Sequence, residues 1–380
     1  MKKHFLFFFC FFLLQITFAQ VNNSVLSTGN WYKFSVDTTG VFKIDRSLLQ
    51  QIGISTNGLN PKKIHIYGNG GQLLPVLNGD FRYNDLQENA IFIAGENDGS
   101  FDANDYILFY AKGPHDWSFN ANNNQVSHNQ NIYSDYAYYF ITVNEIDGKR
   151  IQQKVSVTTN SVAQINIFDD FTFYEKDEKN ILATGTQWFF NEDFNIENTQ
   201  NFTIPFPNAV ANTDVTVKVR GVSTSSSSSS MDIKVNNQEA FSISYTPVNT
   251  GSLTKAIALE GNKTIKNSLN TITVSITYNN NGNPSANSYL DFIEVIGKKQ
   301  LKFNDFQFSF RSFEQASTSG VVEYQIENGN EAFQVWDVTD YINPTSILNE
   351  STTNSFAFKD NGGQLKEYVV LNDNDCYRPQ

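Results

Sequence analysis

The densest group of side chains able to hold a cation lies in GENDGSFDAND, Gly95 to Asp105. Glu96, Asp98, Asp102 and Asp105 surround Gly99 at intervals like those of a calcium loop. With Asp98 and Gly99 in the fifth and sixth places, Glu96 falls third, Asp102 ninth and Asp105 twelfth. Calcium takes several oxygens from a bent loop, and glycine permits the bend. Ala94 occupies the first ligand place, and Asp105 is shorter than the usual closing Glu. The competing reading is an Asx-rich hairpin turn, whose Asn and Asp side chains bond their own backbone.

Other reactive groups are sparse. Cys10 lies in an N-terminal apolar run and Cys376 in the polar tail NDNDCYRPQ. A nucleophilic thiol needs a base in reach and a lowered pKa, and acidic neighbours act the other way. Cys376 is therefore expected to be inert, and no catalytic residue is assigned. His65 is placed in a strand, His115 in a turn and His128 in a loop, without metal-like spacing. Structural or surface roles are expected for all three. The chain has no Gly-rich phosphate loop ending in Lys-Ser or Lys-Thr, no Gly-x-Ser-x-Gly and no His-Glu-x-x-His. Trp117, Trp188 and Trp336 would suit sugar stacking if exposed, but burial in a core is the commoner fate of such rings.

The elements that must carry these residues read as strands. Ile64–Tyr67, Ala90–Ala94 and Tyr106–Ala111 are β-branched or aromatic runs bounded by turn residues. The last two predict a hairpin with the acidic loop at its tip. Gly68, Gly70 and Gly71 are expected to supply positive φ in a turn. Trp31–Val36 and Val41–Asp45 predict another hairpin, and Arg46–Ile52 a short helix with Leu48, Leu49 and Ile52 on one face. Ala121–Gln130 reads as an Asn-rich loop, followed by a strand over Tyr136–Val143.

From Thr158 short strands recur every eight to twelve residues, the pattern of a sandwich. Val215, Val217 and Val219 give one apolar face, and Thr216, Lys218 and Arg220 the other. Ser223–Ser230 reads as a flexible loop. The expected fold is all-β. An N-terminal β-rich domain spans 20–157 and a jelly-roll-like sandwich 158–300. A further β segment, 301–371, is either a separate unit or part of that sandwich, and 372–380 is a tail.

Composition fits an exported protein. Of 380 residues 14% are aromatic, with 33 Phe and 17 Tyr, enough for large cores. Only 17% are charged, and the formal net charge is -12. That balance excludes nucleic acid, whose phosphates call for Lys and Arg. Lys2 and Lys3, the apolar Phe5–Leu14 and the small residues at Thr17 and Ala19 read as a signal peptide over 1–19, with Gln20 as first mature residue. The apolar run is shorter than the ~20 residues of a membrane span. Cys10 should leave with it.

Beyond these residue-level readings lies a resemblance. The wording IYGNGG, then DLQENAIFIAGENDGSFDANDYILFYAKGPHDW, is followed by Glu175, Asn180 and GTQWFFNEDF. YLDFIEV, VWDVTD and EYVVLND come next, the last at Glu367–Asp373. In this order they resemble the pre-peptidase region of PorU-like sortases, gingipain-like cysteine endopeptidases of the Bacteroidetes type IX secretion system. The resemblance implies a cell-surface or outer-membrane-associated protein. Its partners would be type IX components, cargo proteins and its own downstream peptidase domain. The family's Cys and His pair would lie beyond Gln380, and no position here matches it. The other function class is a secreted β-sandwich module for glycan binding or adhesion. Whether a peptidase domain follows Gln380 separates the two.

Overall fold

The computed structural model describes residues 23–120, 125–249, 251 and 253–380. The leader, Cys10 and part of the Asn-rich stretch, 121–124, lie outside the described residues.

Two layers build the N-terminal part. One sheet runs Tyr32–Val36, Ala137–Val143, Ile64–Tyr67, Glu88–Asn89; the other runs Gly40–Asp45, Tyr106–Ala111, Ile91–Ala94. Phe34, Ile66 and Tyr139 of the first meet Phe42, Ile107 and Phe109 of the second in one core. The acidic hairpin forms as expected, with Ile91–Ala94 antiparallel to Tyr106–Ala111. The hairpin expected from Trp31 to Asp45 does not. Its two strands lie in opposite layers, paired with Ala137–Val143 and Tyr106–Ala111. Each thereby buries its apolar side against the facing sheet, which an isolated two-stranded ribbon cannot do. Asp45 caps the helix Arg46–Gln51, its carboxylate accepting from the Leu48 N–H at 3.0 Å.

The glycines of IYGNGG divide into two kinds. Gly70 has the expected positive φ, +85°. Gly68 and Gly71 are required for space instead. A Cβ on Gly68 would lie 2.2 Å from the Tyr139 ring, and one on Gly71 2.5 Å from the Ala137 Cβ. Tyr139 is fully buried, and its hydroxyl accepts from the Lys112 N–H and donates to the Lys112 carbonyl. The ring is held, so Gly68→Ala is expected to lower stability by ~1–3 kcal/mol. Urea unfolding at unchanged slope reads this directly, and an unmoved midpoint would show that the ring gives way.

The rest of the chain is arranged on a nine-stranded sheet. Its order is Gln152–Gln153, Thr345–Ile347, Gln334–Asp337, Glu367–Leu371, Phe308–Arg311, Ile167–Glu175, Ser288–Gln300, Thr213–Ser223, Ile257–Asn267. A single residue pair, Asp169 with Arg311, joins its two halves. Two smaller sheets cover one face. Thr199–Pro205, Thr271–Asn279, Ser229–Val235 and Gln238–Tyr245 pack on Val215, Val217, Val219, Ile293 and Val295, so the predicted alternation holds. Ala163–Ile165, Val321–Glu327 and Ser355–Asn361 pack on Phe310, Val335, Tyr368 and Val370. The fold is all-β, and among the described residues the longest helix has six residues.

The serine run departs from expectation. Its ends belong to the strands Thr213–Ser223 and Ser229–Val235. The Ser223 hydroxyl is buried and bonds Ser229 Oγ at 2.9 Å and the Tyr278 hydroxyl at 3.0 Å. Hydroxyls that satisfy one another can leave water at little cost.

The second N-terminal sheet docks on the other face of the long sheet. Val41, Leu108 and Tyr110 meet Trp336, Val338, Val369 and Leu371. VWDVTD and EYVVLND therefore serve two cores at once, by strand alternation. Val335, Tyr368 and Val370 face one core; Trp336, Val369 and Leu371 face the other. The tail returns to the N-terminal layers, where Ser35 and Gln380 exchange backbone hydrogen bonds at 2.8 and 2.9 Å. Among the described residues no helix is long and apolar enough to cross a membrane.

Candidate functional site

Buried charge is concentrated where an N-terminal hairpin lies across the long sheet. Its strands, His115–Asn120 and Gln125–Gln130, pair antiparallel. The stretch expected as a loop thus supplies a strand, and His128 sits in it with a side chain only 4% exposed. His115 opens the other strand and is not in a turn. Alternation along Ile167–Glu175 turns Phe171, Phe173 and Glu175 away from the sandwich core and toward this hairpin. Phe292 and Glu294 come from Ser288–Gln300, and Lys218 and Arg220 from Thr213–Ser223.

His128 is clamped between two carboxylates. Its Nδ1 lies 2.6 Å from Glu294 Oε1, and its Nε2 bonds Glu175 Oε2. The His128 backbone N–H donates to the same Glu294 oxygen at 3.0 Å. Lys218 Nζ lies 2.6 Å from Glu294 Oε2. The imidazole stacks on Phe173, 4.4 Å between centroids, and meets Phe292 edge-on at 4.8 Å. Around it Gln130 donates to Asp177 at 2.9 Å and Arg220 pairs with Asp291 at 2.8 Å.

Four of these groups are displaced, each for an identifiable reason. Burial would lower the His128 pKa, but the hydrogen bonds and charges of Glu175 and Glu294 outweigh it and push it up to about 9. The ring is therefore an imidazolium at neutral pH, donating from both nitrogens. Burial would raise Glu294, but His128 and Lys218 hold it below the usual carboxylate range. Burial, with Glu175 nearby, raises Asp177 to about 6. Burial raises Asp291 to about 7 against the pull of Arg220. Both His128 nitrogens are occupied inside a closed shell, so the arrangement suits a clamp and not proton transfer to a substrate.

The four acidic-loop residues share one loop but do not converge. Glu96 accepts from Arg150 Nε at 2.6 Å, and Asp98 from the Ser100 N–H at 2.9 Å. Asp102 accepts from Ser100 Oγ at 3.1 Å, and Asp105 from the Asp102 N–H at 2.7 Å. Among the described residues no group of three or more His, Cys, Asp or Glu is set to hold a metal. His65 is buried between Glu88, 2.7 Å from Nδ1, and the Ile146 carbonyl, 3.1 Å from Nε2. Trp336 is fully buried, whereas Trp117 is half-buried against Phe171 and Phe173 and Trp188 is half-buried.

Cys376 is partly buried and donates to the Asn372 carbonyl at 3.2 Å. Burial pushes its thiol up to about 12, with Asp373 and Asp375 adding to the rise. Native protein at pH 8 is expected to react with iodoacetamide far more slowly than protein in urea. Equal rates in the two states would show an accessible, activated thiol.

Scans for known protein families and for curated relatives give no match. Solved structures do. The crystal structure of dimeric latent PorU from Porphyromonas gingivalis superposes on 95% of this chain with a TM-score of 0.79 and 19% identity. The chain has a PorU-like fold. It spans about a third of that structure's length, 33%. A carbohydrate-binding module, CBM36 with calcium and xylotriose, covers 26% of the chain at a TM-score of 0.19, too low to carry an argument.

Proposed function

We propose that this chain is the non-catalytic front region of a cell-surface, gingipain-like cysteine endopeptidase of the type IX sortase kind. The carrying observation is the PorU-like arrangement across 95% of the chain. The ordered motifs from IYGNGG to EYVVLND, which shape both faces of the long sheet, support the same reading. On this reading the signal peptide directs export, and the β-layers present the downstream peptidase domain to cargo and to secretion components. The N-terminal layers, the sandwich and the strands after Gln300 act as one platform, tied by the His128 clamp and the Trp336 junction. The test is the reading frame after Gln380. A continuous frame encoding a peptidase domain with a His and Cys pair is expected, and a stop codon there would overturn the proposal.

Purified residues 20–380 are expected not to hydrolyse Arg or Lys peptide substrates. Turnover that vanishes with Cys376→Ala would sink this reading of the chain as non-catalytic. Calcium at the acidic loop is a separate proposal resting on its ligand spacing. Calcium should raise the melting temperature, and Asp98→Ala with Asp102→Ala should remove the rise. Equal melting with calcium and with chelator leaves an Asx turn.

A further inference from the structure

We propose that the cleft between the N-terminal layers and the long sheet binds a short, uncharged saccharide. The cleft encloses 420 Å³, within the size range of small-molecule sites. Three features of its walls define the ligand.

The first is charge. Three acids line the cleft, and each already has a cation. Asp116 pairs with Lys112 at 2.9 Å, and Asp170 with Lys299 at 2.6 Å. Glu367 pairs with Arg311 at 2.9 Å. Three bases answer three acids, so an ion of either sign would be desolvated here without a counter-charge. A neutral guest is favoured.

The second is unmet hydrogen bonding. Arg311 is 6% exposed, and its guanidinium packs 4.3 Å from the Phe171 centroid. Its terminal nitrogens bond Asp170, the Asp169 carbonyl and Glu367, but its Nε–H has no acceptor. His115 Nδ1, buried on the same cleft, also has no partner. A buried donor left alone is costly, and a guest carrying acceptors recovers that cost. Burial lowers the His115 pKa, so its ring is neutral and Nδ1 can donate or accept. Hydroxyl groups meet both atoms, since each is donor and acceptor.

The third is the apolar wall. Trp117 and Phe173 stand 5.7 Å apart between centroids, with Phe171 against Trp117. Flat rings beside fixed polar atoms suit a guest with a C–H face and a hydroxyl rim. An extended peptide is the comparison that tests this, since beyond Asp169 the strand Ile167–Glu175 is unpaired on its Phe308–Arg311 side.

The inference stands apart from the accessory role proposed above. Mature chain, residues 20–380, is titrated with maltose, cellobiose, lactose, mannobiose and diacetylchitobiose. Galacturonic acid, glucosamine and a neutral hexapeptide serve as comparisons, with calorimetry and tryptophan fluorescence as readouts. At least one neutral disaccharide is expected to bind and to change the fluorescence. His115→Phe, which keeps a ring against Phe173, should weaken binding about tenfold. Ser309→Leu, which fills the cleft, should abolish it, while thermal melting confirms that both variants fold. No binding by any neutral disaccharide overturns the proposal. So does tighter binding of a charged sugar or the peptide, or affinity unchanged in both variants.

Discussion

Alanine at position 128 is expected to lower the stability of the folded protein by about 3–5 kcal/mol, the cost of breaking one side of a buried ion pair. The loss comes less from the imidazole than from what it leaves behind. Glu294 has a side chain only 1% exposed, and its Oε1 would keep only the backbone N–H of residue 128. Glu175, 11% exposed, would lose its imidazolium partner. Lys218 alone would remain to offset two carboxylates. Adding Glu294→Gln to the alanine variant should recover part of the loss, because it removes the stranded charge. Urea unfolding of the two single variants and the double variant measures the coupling. Additive losses would mean that His128 acts by packing on Phe173 alone.

The same clamp gives a signed pH dependence. His128 has a folded-state pKa of about 9, against ~6.5 in the unfolded chain. A raised folded pKa stabilises fully below the unfolded value and is lost as pH rises through the folded one. The advantage of the parent over His128→Gln should therefore shrink by about 3 kcal/mol between pH 6.5 and 9. Asp177 and Asp291 also favour the protonated folded state, but their contributions fade earlier, from ~pH 4 up through 6 and 7. The His128 charge lowers both, so in His128→Gln each rises further and offsets part of the shrinkage. A difference independent of pH would refute an imidazolium in the clamp.

What the sequence revealed depended on whether a residue's role is set locally. Strand period is local, so Val215, Val217 and Val219 could be placed inward, and the acidic hairpin and short helix could be read from their own residues. Pairing across layers is not local. Tyr32–Val36 and Gly40–Asp45 are separated by three residues, and nothing within them reveals that their partners lie about seventy and a hundred residues later. The space around Gly68 is likewise decided by Tyr139. The clamp was hidden for the same reason, since His128, Glu175 and Glu294 come from three distant stretches. One signal was available. FTFYE and YLDFIEV carry lone acids within strongly apolar strands. In a strand covered on both faces such an acid must find a cation, which directs attention to the few histidines.

Trp336→Ala is expected to show whether the N-terminal layers and the long sheet unfold as one body. Trp336 is wholly buried at their junction, beside Val41, Leu108, Tyr110, Val369 and Leu371. Its Nε1–H donates to Gln334 Oε1 at 2.6 Å. Truncating a buried Trp removes its transfer free energy and leaves a cavity, together about 3–5 kcal/mol. The position of the cavity decides how the loss is expressed. The N-terminal core and the two cores on the far face of the long sheet are built from other residues and keep their packing. The junction is a large apolar tie between them, beside the His128 clamp, the returning tail and polar bonds such as the Ala90 N–H to the Ile342 carbonyl at 2.8 Å and the Tyr341 hydroxyl to the Asn69 carbonyl at 2.9 Å. Calorimetry should therefore show one transition in the parent and two in Trp336→Ala, with the gap widening when His128→Ala is added. Trp336→Phe, which refills most of the space, should restore the single transition. If the alanine variant melts in one step at the parental temperature, the junction does not carry the coupling. The N-terminal layers would then be held by the clamp, the tail and the polar bonds around them.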